Sequence, residues 1–276
     1  MNDLHVAARR CLDATDPTQK LHLTHETWSA LRAGALRANP ASPPADPISA
    51  PGRPARPILV SARQVPRRGL GSAQGRAALI HAIAHIEFNA INLAWDAVYR
   101  FRGKPDAYYR DWASCANDEA RHFAMLSSRL AELDCAYGDF DAHDGLWEMA
   151  EKTAHSDTAR MALVPRVLEA RGLDVTPGMI ERLRQAGDSR TVAILEVILH
   201  EEIAHVAAGT RWYRHCCERD GLDPIDTFFR LVRDYMGVEL RGPFNLPARR
   251  EAGFLDAELD RLLELAASST AASGSS

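Results

Sequence analysis

Two short patterns could carry chemistry in this chain. Glu119 and His122 stand three residues apart, and so do Glu202 and His205. On a helix that spacing puts a carboxylate and an imidazole on one face, close enough to share a cation. One such pair is weak evidence; two, each inside an otherwise apolar stretch, point to a built site. A lone glutamate precedes each pair, Glu87 in IAHIEFNAI and Glu169 in VPRVLEARG. Glu87 lies 32 residues before Glu119 and Glu169 lies 33 before Glu202, as if one helical hairpin had been used twice. The set amounts to four carboxylates and two imidazoles, the inventory by which a helical bundle holds two iron or manganese ions.

Metal is the better reading than surface charge and ordinary ion pairs. Buried together without a cation, four carboxylates would repel one another, lose hydration and take up protons. Oxygen-rich ligands with one imidazole per metal suit iron, manganese or a mixed pair better than zinc or copper. All six residues are therefore candidate metal ligands and, through the metals, the candidate catalytic set; no separate acid or base stands out. His81 and His85 share a face, but His85 lies about 200° around a regular helix from Glu87, which assigns both to the core or to supporting hydrogen bonds. His200 is expected to be packed or hydrogen-bonded. Glu151 and His155 are reserve ligands as an i,i+4 pair, and Asp118 and Glu201 are candidate acceptors for the unliganded imidazole nitrogens. Tyr99, Tyr108, Tyr109, Trp95 and Trp212 read as structural.

Four long helices must position these residues. The first spans Ser72–Phe101, closed by Arg102–Gly103–Lys104–Pro105, and the second about Asp106–Leu133. A third runs from about Gly145 to Ala170, followed by a short helix from Thr176–Pro177 to Ala186. The fourth is capped by Asp188 and reaches about Arg219. Glu169 falls near the end of the third helix and would miss the level of Glu202 by roughly 15 Å, so Ile180–Gln185 is expected to continue its direction after a break at Gly172–Pro177. Before the bundle come helices near Leu4–Leu12 and His25–Leu36, the latter with Thr24 as its cap. After it come Pro224–Tyr235, Glu251–Leu265 and a frayed tail, Ala266–Ser276. The expected organisation is residues 1–71 as N-terminal helices and arm, 72–220 as bundle and 221–276 as C-terminal helices and tail. No segment alternates long enough for a sheet, so the fold class is all-α.

Composition narrows the function classes. The chain has 276 residues, 46% hydrophobic and 25% charged, with a formal net charge of -4, which argues against global disorder and against a polycation coating nucleic acid. Eight of the fifteen prolines fall between Pro40 and Pro66, so that stretch must run extended over a surface. Between Pro47 and Ile86 there is no acidic residue, while Arg53, Arg56, Arg63, Arg67, Arg68 and Arg76 all lie there. This basic island is either an arm pinned to acidic helix surfaces or a contact for an anion or RNA. Cys11, Cys115, Cys135, Cys216 and Cys217 form no CxxC pair, and the opening MNDLHVAARRCLDATD has no apolar core before a cleavage site. No run approaches 18 apolar residues. A cytoplasmic, reducing setting without membrane contact is expected.

The stretches PGRPARPILV, HAIAHIEFNAINLAWDAVYRF, DEARHF, YGDFDAHDGLWEMAEKTAHSD, ALVPRVLEARGLDVTPGM, EEIAHVAAG and RGPFNLPAR, in that order, resemble the domain-of-unknown-function 455 family of ferritin-like proteins. The resemblance runs from about Asp3 to Leu263. It implies a ferritin-like four-helix bundle with added terminal helices and a Pro/Arg-rich arm. It also implies a distant similarity to diiron tRNA hydroxylases, whose metal-binding EAR glutamate looks like Glu169, and whose EARH glutamate and histidine correspond to Glu119 and His122 or to Glu202 and His205. The long arm and the broken third helix depart from those hydroxylases.

The expected function is a diiron or dimanganese oxidoreductase, an O2-dependent oxygenase or hydroxylase acting on a small molecule. It would need an external electron donor, since no nucleotide-cradling glycine motif is present. A ferroxidase or redox-detoxification role is the alternative, and a metal-stabilised protein binding RNA or another partner is the third reading. The apolar terminal helices allow a monomer or a homodimer.

Overall fold

The computed structural model describes residues 2–65, 69–237 and 240–273. Arg67 and Arg68 of the basic island, and the last three residues of the tail, lie outside them. The fold is all-α, of the four-helix-bundle kind with flanking helices, and among the described residues the extended pairing amounts to two isolated β-bridges. The helices are α1 Leu4–Asp13, α2 Pro17–Arg32, α3 Ala73–Arg100, α4 Asp106–Ala131, α5 Gly145–Lys152, α6 Asp157–Leu163, α7 Ala170–Gln185, α8 Ser189–Asp220, α9 Pro224–Met236, α10 Leu246–Glu251 and α11 Asp256–Ser273. A π-helical segment, Val164–Glu169, joins α6 to α7. The chain forms two compact units, Met1–Glu151 with Gln185–Ile194, and Lys152–Arg184 with Leu195–Ser276.

In the first unit, α3 and α4 pack along their lengths. Ser72 caps α3 by accepting the Gly75 N–H at 3.0 Å, which fixes where the helix starts. Twenty residues of α3 are buried, from Gly75 to Tyr99. Its most apolar 18-residue window has a mean hydropathy of 1.2 and is 78% buried, the behaviour of a core helix although its length and composition would also suit a membrane. The second helix starts earlier than expected. Asp16 accepts from the Gln19 N–H at 2.8 Å, and Pro17 follows at a position where its missing N–H costs nothing. Thr24, expected as the cap, is instead a buried acceptor for the Trp95 indole N–H at 2.9 Å. Lys20, fully buried, bonds the C-terminal carbonyls of α1 at Cys11 (2.7 Å) and Leu12 (3.1 Å) and reaches Asn92 of α3 at 2.7 Å. Burial lowers its pKa to about 7.

The proline-rich arm runs extended, held largely by its backbone. Gly52 N–H bonds Leu12 O at 2.7 Å, and a Cβ there would come within 2.3 Å of the Asp13 carbonyl, so only glycine permits the approach. Farther on, Val60 N–H bonds Ala142 O at 2.8 Å and Ala142 N–H bonds Ile58 O at 3.0 Å. Arg53 pairs with Asp144 at 2.7 Å, Arg76 lies 3.6 Å from Asp188, and Arg56 and Arg63 are exposed.

The second unit departs from the expected break. The segment from Asp157 to Gln185 is helical throughout, passing Gly172 and Pro177 without interruption. Proline deprives the carbonyl four residues earlier of its helical donor. Here that carbonyl belongs to Leu173, and it accepts the Asn245 side-chain amide at 3.1 Å. Asp174 beside it accepts the Asn245 N–H at 2.9 Å and the Arg249 guanidinium at 2.9 and 2.7 Å. The expected third helix starts at Gly145 as read but is interrupted: α5 ends at Lys152, and Ser156 recaps the chain by accepting from Ala159 N–H at 3.1 Å. Glu151 and His155 therefore do not share a helix, and both are exposed. The C-terminal helix is likewise two, α10 and α11, separated at Gly253, whose φ of 86° suits glycine. Helix α11 extends to Ser273, into the stretch expected as the tail.

Candidate metal centre

Glu87 sits midway along α3, and Glu119 and His122 midway along α4. The three are almost wholly buried, at 4%, 2% and 0% exposure. His122 Nδ1 lies 3.1 Å from Oε2 of Glu87 and 3.4 Å from Oε2 of Glu119, so one imidazole bridges two carboxylates from two helices. Each residue offers a ligand atom, and these atoms lie within 4.8 Å of one another, so the group can hold a metal ion.

The electrostatics show how the group stands without a metal. Burial first, then the charge of Glu119, pushes Glu87 up to about 8. Burial pulls His122 down, but its hydrogen bonds to Glu119 and Glu87 outweigh that and raise it to about 11. Protons thus take the part of the cation, keeping the imidazole charged and one carboxyl neutral. A divalent ion meets the same need, and the donor set of carboxylate oxygens with one imidazole fits iron or manganese.

In the second unit, Glu202 and His205 lie one turn apart on α8, with His205 Nδ1 3.6 Å from Glu202 Oε1, an ion-pair distance too long for a hydrogen bond. Both are buried, and Oε2 of Glu202 has no hydrogen-bond partner among the described residues. Glu169, half-buried, is the last residue of the π-helical segment. The wide turn closes where the Ala170 N–H reaches Pro165 O, five residues back. Helix α8 comes close enough there that a Cβ on Gly209 would fall 2.3 Å from Cβ of Pro165. Continuity of the helix through Gly172 leaves Glu169 near its middle, which removes the reason for the expected break.

Arg166, on the π-helical segment, is fully buried and bonds Glu258 at 2.6 Å. Its guanidinium carbon lies 4.6, 4.5 and 4.5 Å from the ring centroids of Tyr213, Phe228 and Phe254. This brace was not anticipated; the signal for it was an arginine and a proline inside the apolar run ALVPRVLEA.

The other candidates take lesser places. His81 Nε2 accepts the Gly138 N–H at 2.9 Å, and His85 bonds Tyr137 and the His143 backbone. Burial lowers both imidazoles to about 4. His200 is exposed, which removes the packed alternative of the two expected for it, and His155 bonds Tyr235 at 3.0 Å. Asp118 pairs with Arg121 at 3.1 Å, and Glu201 is half-buried. Trp95, Tyr99, Tyr108, Tyr109 and Trp212 are buried in the core.

A family model described as "Protein of unknown function (DUF455)" matches residues 13–260. A protein of Haemophilus influenzae carrying the description "Uncharacterized protein" is 43% identical over 265 residues, covering 92% of this chain and 91% of its own length. No solved structure matches the chain.

Proposed function

The chain belongs to the ferritin-like DUF455 family, and on that premise we propose that it is a dinuclear-metal oxidoreductase, an O2-dependent oxygenase or hydroxylase. The observation that carries the reading is the buried group of Glu87, Glu119 and His122, a charge-bridged cluster suited to a cation. In this reading Glu169, Glu202 and His205, singled out by their spacing in the sequence, complete a set of four carboxylates and two imidazoles. Two iron ions, or manganese or a mixed pair, held by these residues would supply the electrons for reducing dioxygen.

The chain's own residues do the rest. Glu87 and His122 give up their protons as metal enters, so uptake releases acid. The Arg166 brace holds the π-helical turn that ends in Glu169, a half-buried carboxylate that would serve as one of the ligands. An external donor supplies electrons, a small molecule is the substrate, and the free cysteines suit a reducing, cytoplasmic setting. The test is to load the protein anaerobically with ferrous iron and admit O2 while recording optical spectra. An O2-dependent absorption change scaling with bound iron supports the reading, and a silent spectrum with iron bound rejects it. Release of ferric iron with no substrate oxidised would assign a ferroxidase instead.

A further inference from the structure

A groove of about 300 Å³ lies between α1 and α2. Leu4, Ala8 and Leu12 turn one side of α1 into the core, and the groove opens on the other side. Its walls are Val6 and Ala7 of α1 with Leu23 and Ala30 of α2, and Ala35 and Leu36 line the end beyond α2. Alanine at three of these six positions leaves the space that larger side chains would fill. The backbone fixes the shape. Leu4 N–H bonds Arg37 O at 2.9 Å and Arg37 N–H bonds Asn2 O at 3.1 Å, tying the start of α1 to the stretch after α2. Gly34, at a φ of 72°, turns the chain so that Ala35 N–H reaches Ala30 O at 2.9 Å. The groove is therefore preformed and largely apolar, the ordinary character of a small-ligand site. Val6, an apolar side chain left 52% exposed on its wall, gains from being covered.

The charges along the groove say what would cover it. Asp3, Glu26 and Arg10 all reach the lining. Asp3 caps α1 by accepting the His5 N–H at 2.8 Å and also accepts the Ser42 hydroxyl. Glu26 pairs with His22, one turn before it on α2, at 3.1 Å. Arg10 pairs with no carboxylate among the described residues, because Asp13, the acid within its reach on α1, is held by Arg9 at 2.8 and 2.7 Å. Arg10 also stands about 10 Å along the helix axis from Asp3, clear of its charge. The groove thus carries one unmatched cation beside an apolar trough.

We propose that this groove binds a small amphipathic carboxylate, its anionic head on Arg10 and its aliphatic tail between Val6, Ala7, Leu23 and Ala30, directed toward Leu36. A guanidinium takes a carboxylate through two parallel N–H···O bonds, which gives the head a fixed orientation. The volume equals that of roughly ten water molecules, room for a chain of about eight carbons. An amine head would meet Arg10 with like charge, and an alcohol would leave Arg10 unmatched. The site draws on no residue of the metal cluster and does not depend on the dinuclear-metal reading.

The test is isothermal titration of the full chain with octanoate, octylamine and 1-octanol, beside light scattering to count chains per particle. Octanoate should bind one per chain and about tenfold more tightly than either other probe. Arg10→Gln, a change at an exposed residue, should leave the melting temperature in place, weaken octanoate by about tenfold and erase its advantage over 1-octanol. Ala30→Leu fills the trough and should remove binding; should that variant fail to fold, Arg10→Gln decides alone. Octylamine binding as well as octanoate, octanoate binding unchanged in Arg10→Gln, or no binding at millimolar octanoate overturns the proposal. A parent dimer that Val6→Lys dissociates would give the groove to a second copy of the chain and overturn it as well. None of these readouts involves metal, so failure here leaves the proposed function standing.

Discussion

The two Glu-x-x-His pairs are alike in sequence and unlike in setting. On α3 and α4, His122 stands between Glu87 and Glu119 at 3.1 and 3.4 Å, and all three are sealed from water. In the second unit, His205 is 3.6 Å from Glu202, and Glu169 ends a π-helical turn and is half-buried. The first arrangement neutralises itself and so can be buried without a metal ion. The second has a carboxylate oxygen on Glu202 that nothing among the described residues satisfies, and a glutamate whose placement depends on a backbone irregularity. The first cluster is closed and self-compensated; the second leaves a carboxylate oxygen open.

That contrast can be broken most sharply at the histidine. His122→Ala leaves Glu87 and Glu119 buried without their counter-charge, so the metal-free protein should lose about 3–5 kcal/mol in urea unfolding. His205→Ala, whose imidazole lies farther from its carboxylate, should cost less, and equal losses would erase the distinction. Arg166→Met should be comparably severe, about 3–5 kcal/mol, because Glu258 is left charged and buried. Adding Glu258→Met should recover much of that loss while leaving Glu169 badly aimed, which metal affinity would register.

A smaller effect is expected where α8 crosses the π-helical segment. Gly209→Ala sets a Cβ against Pro165 and should cost about 1–3 kcal/mol, with metal affinity falling alongside stability. Weaker at any single step is the response to pH. The folded pKa of Glu87 is raised to about 8 from 4.5 and that of His122 to about 11 from 6.5, so the folded metal-free chain binds more protons than the unfolded one across those windows. Its stability contribution from these groups is therefore complete at low pH and lost as pH rises toward 8 and beyond. Melting temperatures of metal-free protein from pH 5 to pH 8 should reveal the decline when compared with His122→Ala, whereas the metal-loaded protein should gain over the same range. The smallest expected change is Asn245→Ala, about 1 kcal/mol, from returning the Leu173 carbonyl to its unsatisfied state beside Pro177.

The elements these predictions use were unequally legible in the sequence. Helix-period spacing exposed the paired glutamates and histidines, because i,i+3 placement is local information. Asp188 was likewise readable as a cap, and it accepts the Thr191 N–H at 3.0 Å. The course of the chain through Gly172 and Pro177 was not readable, because what repairs the helix is Asn245, supplied from a distant stretch. The π-helical turn hides for a similar reason: Pro165 announces an irregularity but does not say whether the helix breaks or widens. The start of α2 was missed at Asp16–Pro17, a local signal passed over in favour of Thr24. The Tyr137–His85 contact needs the chain after α4 to fold back on α3, which no periodicity encodes.

The central claim is that the buried carboxylates and imidazoles exist to hold a pair of redox metals. Elemental analysis of protein purified without oxygen, run beside Glu119→Ala, tests it most directly. The account predicts two iron or manganese ions per chain in the parent and their loss in the variant. A parent that carries no metal, or a single zinc that survives Glu119→Ala, would contradict it.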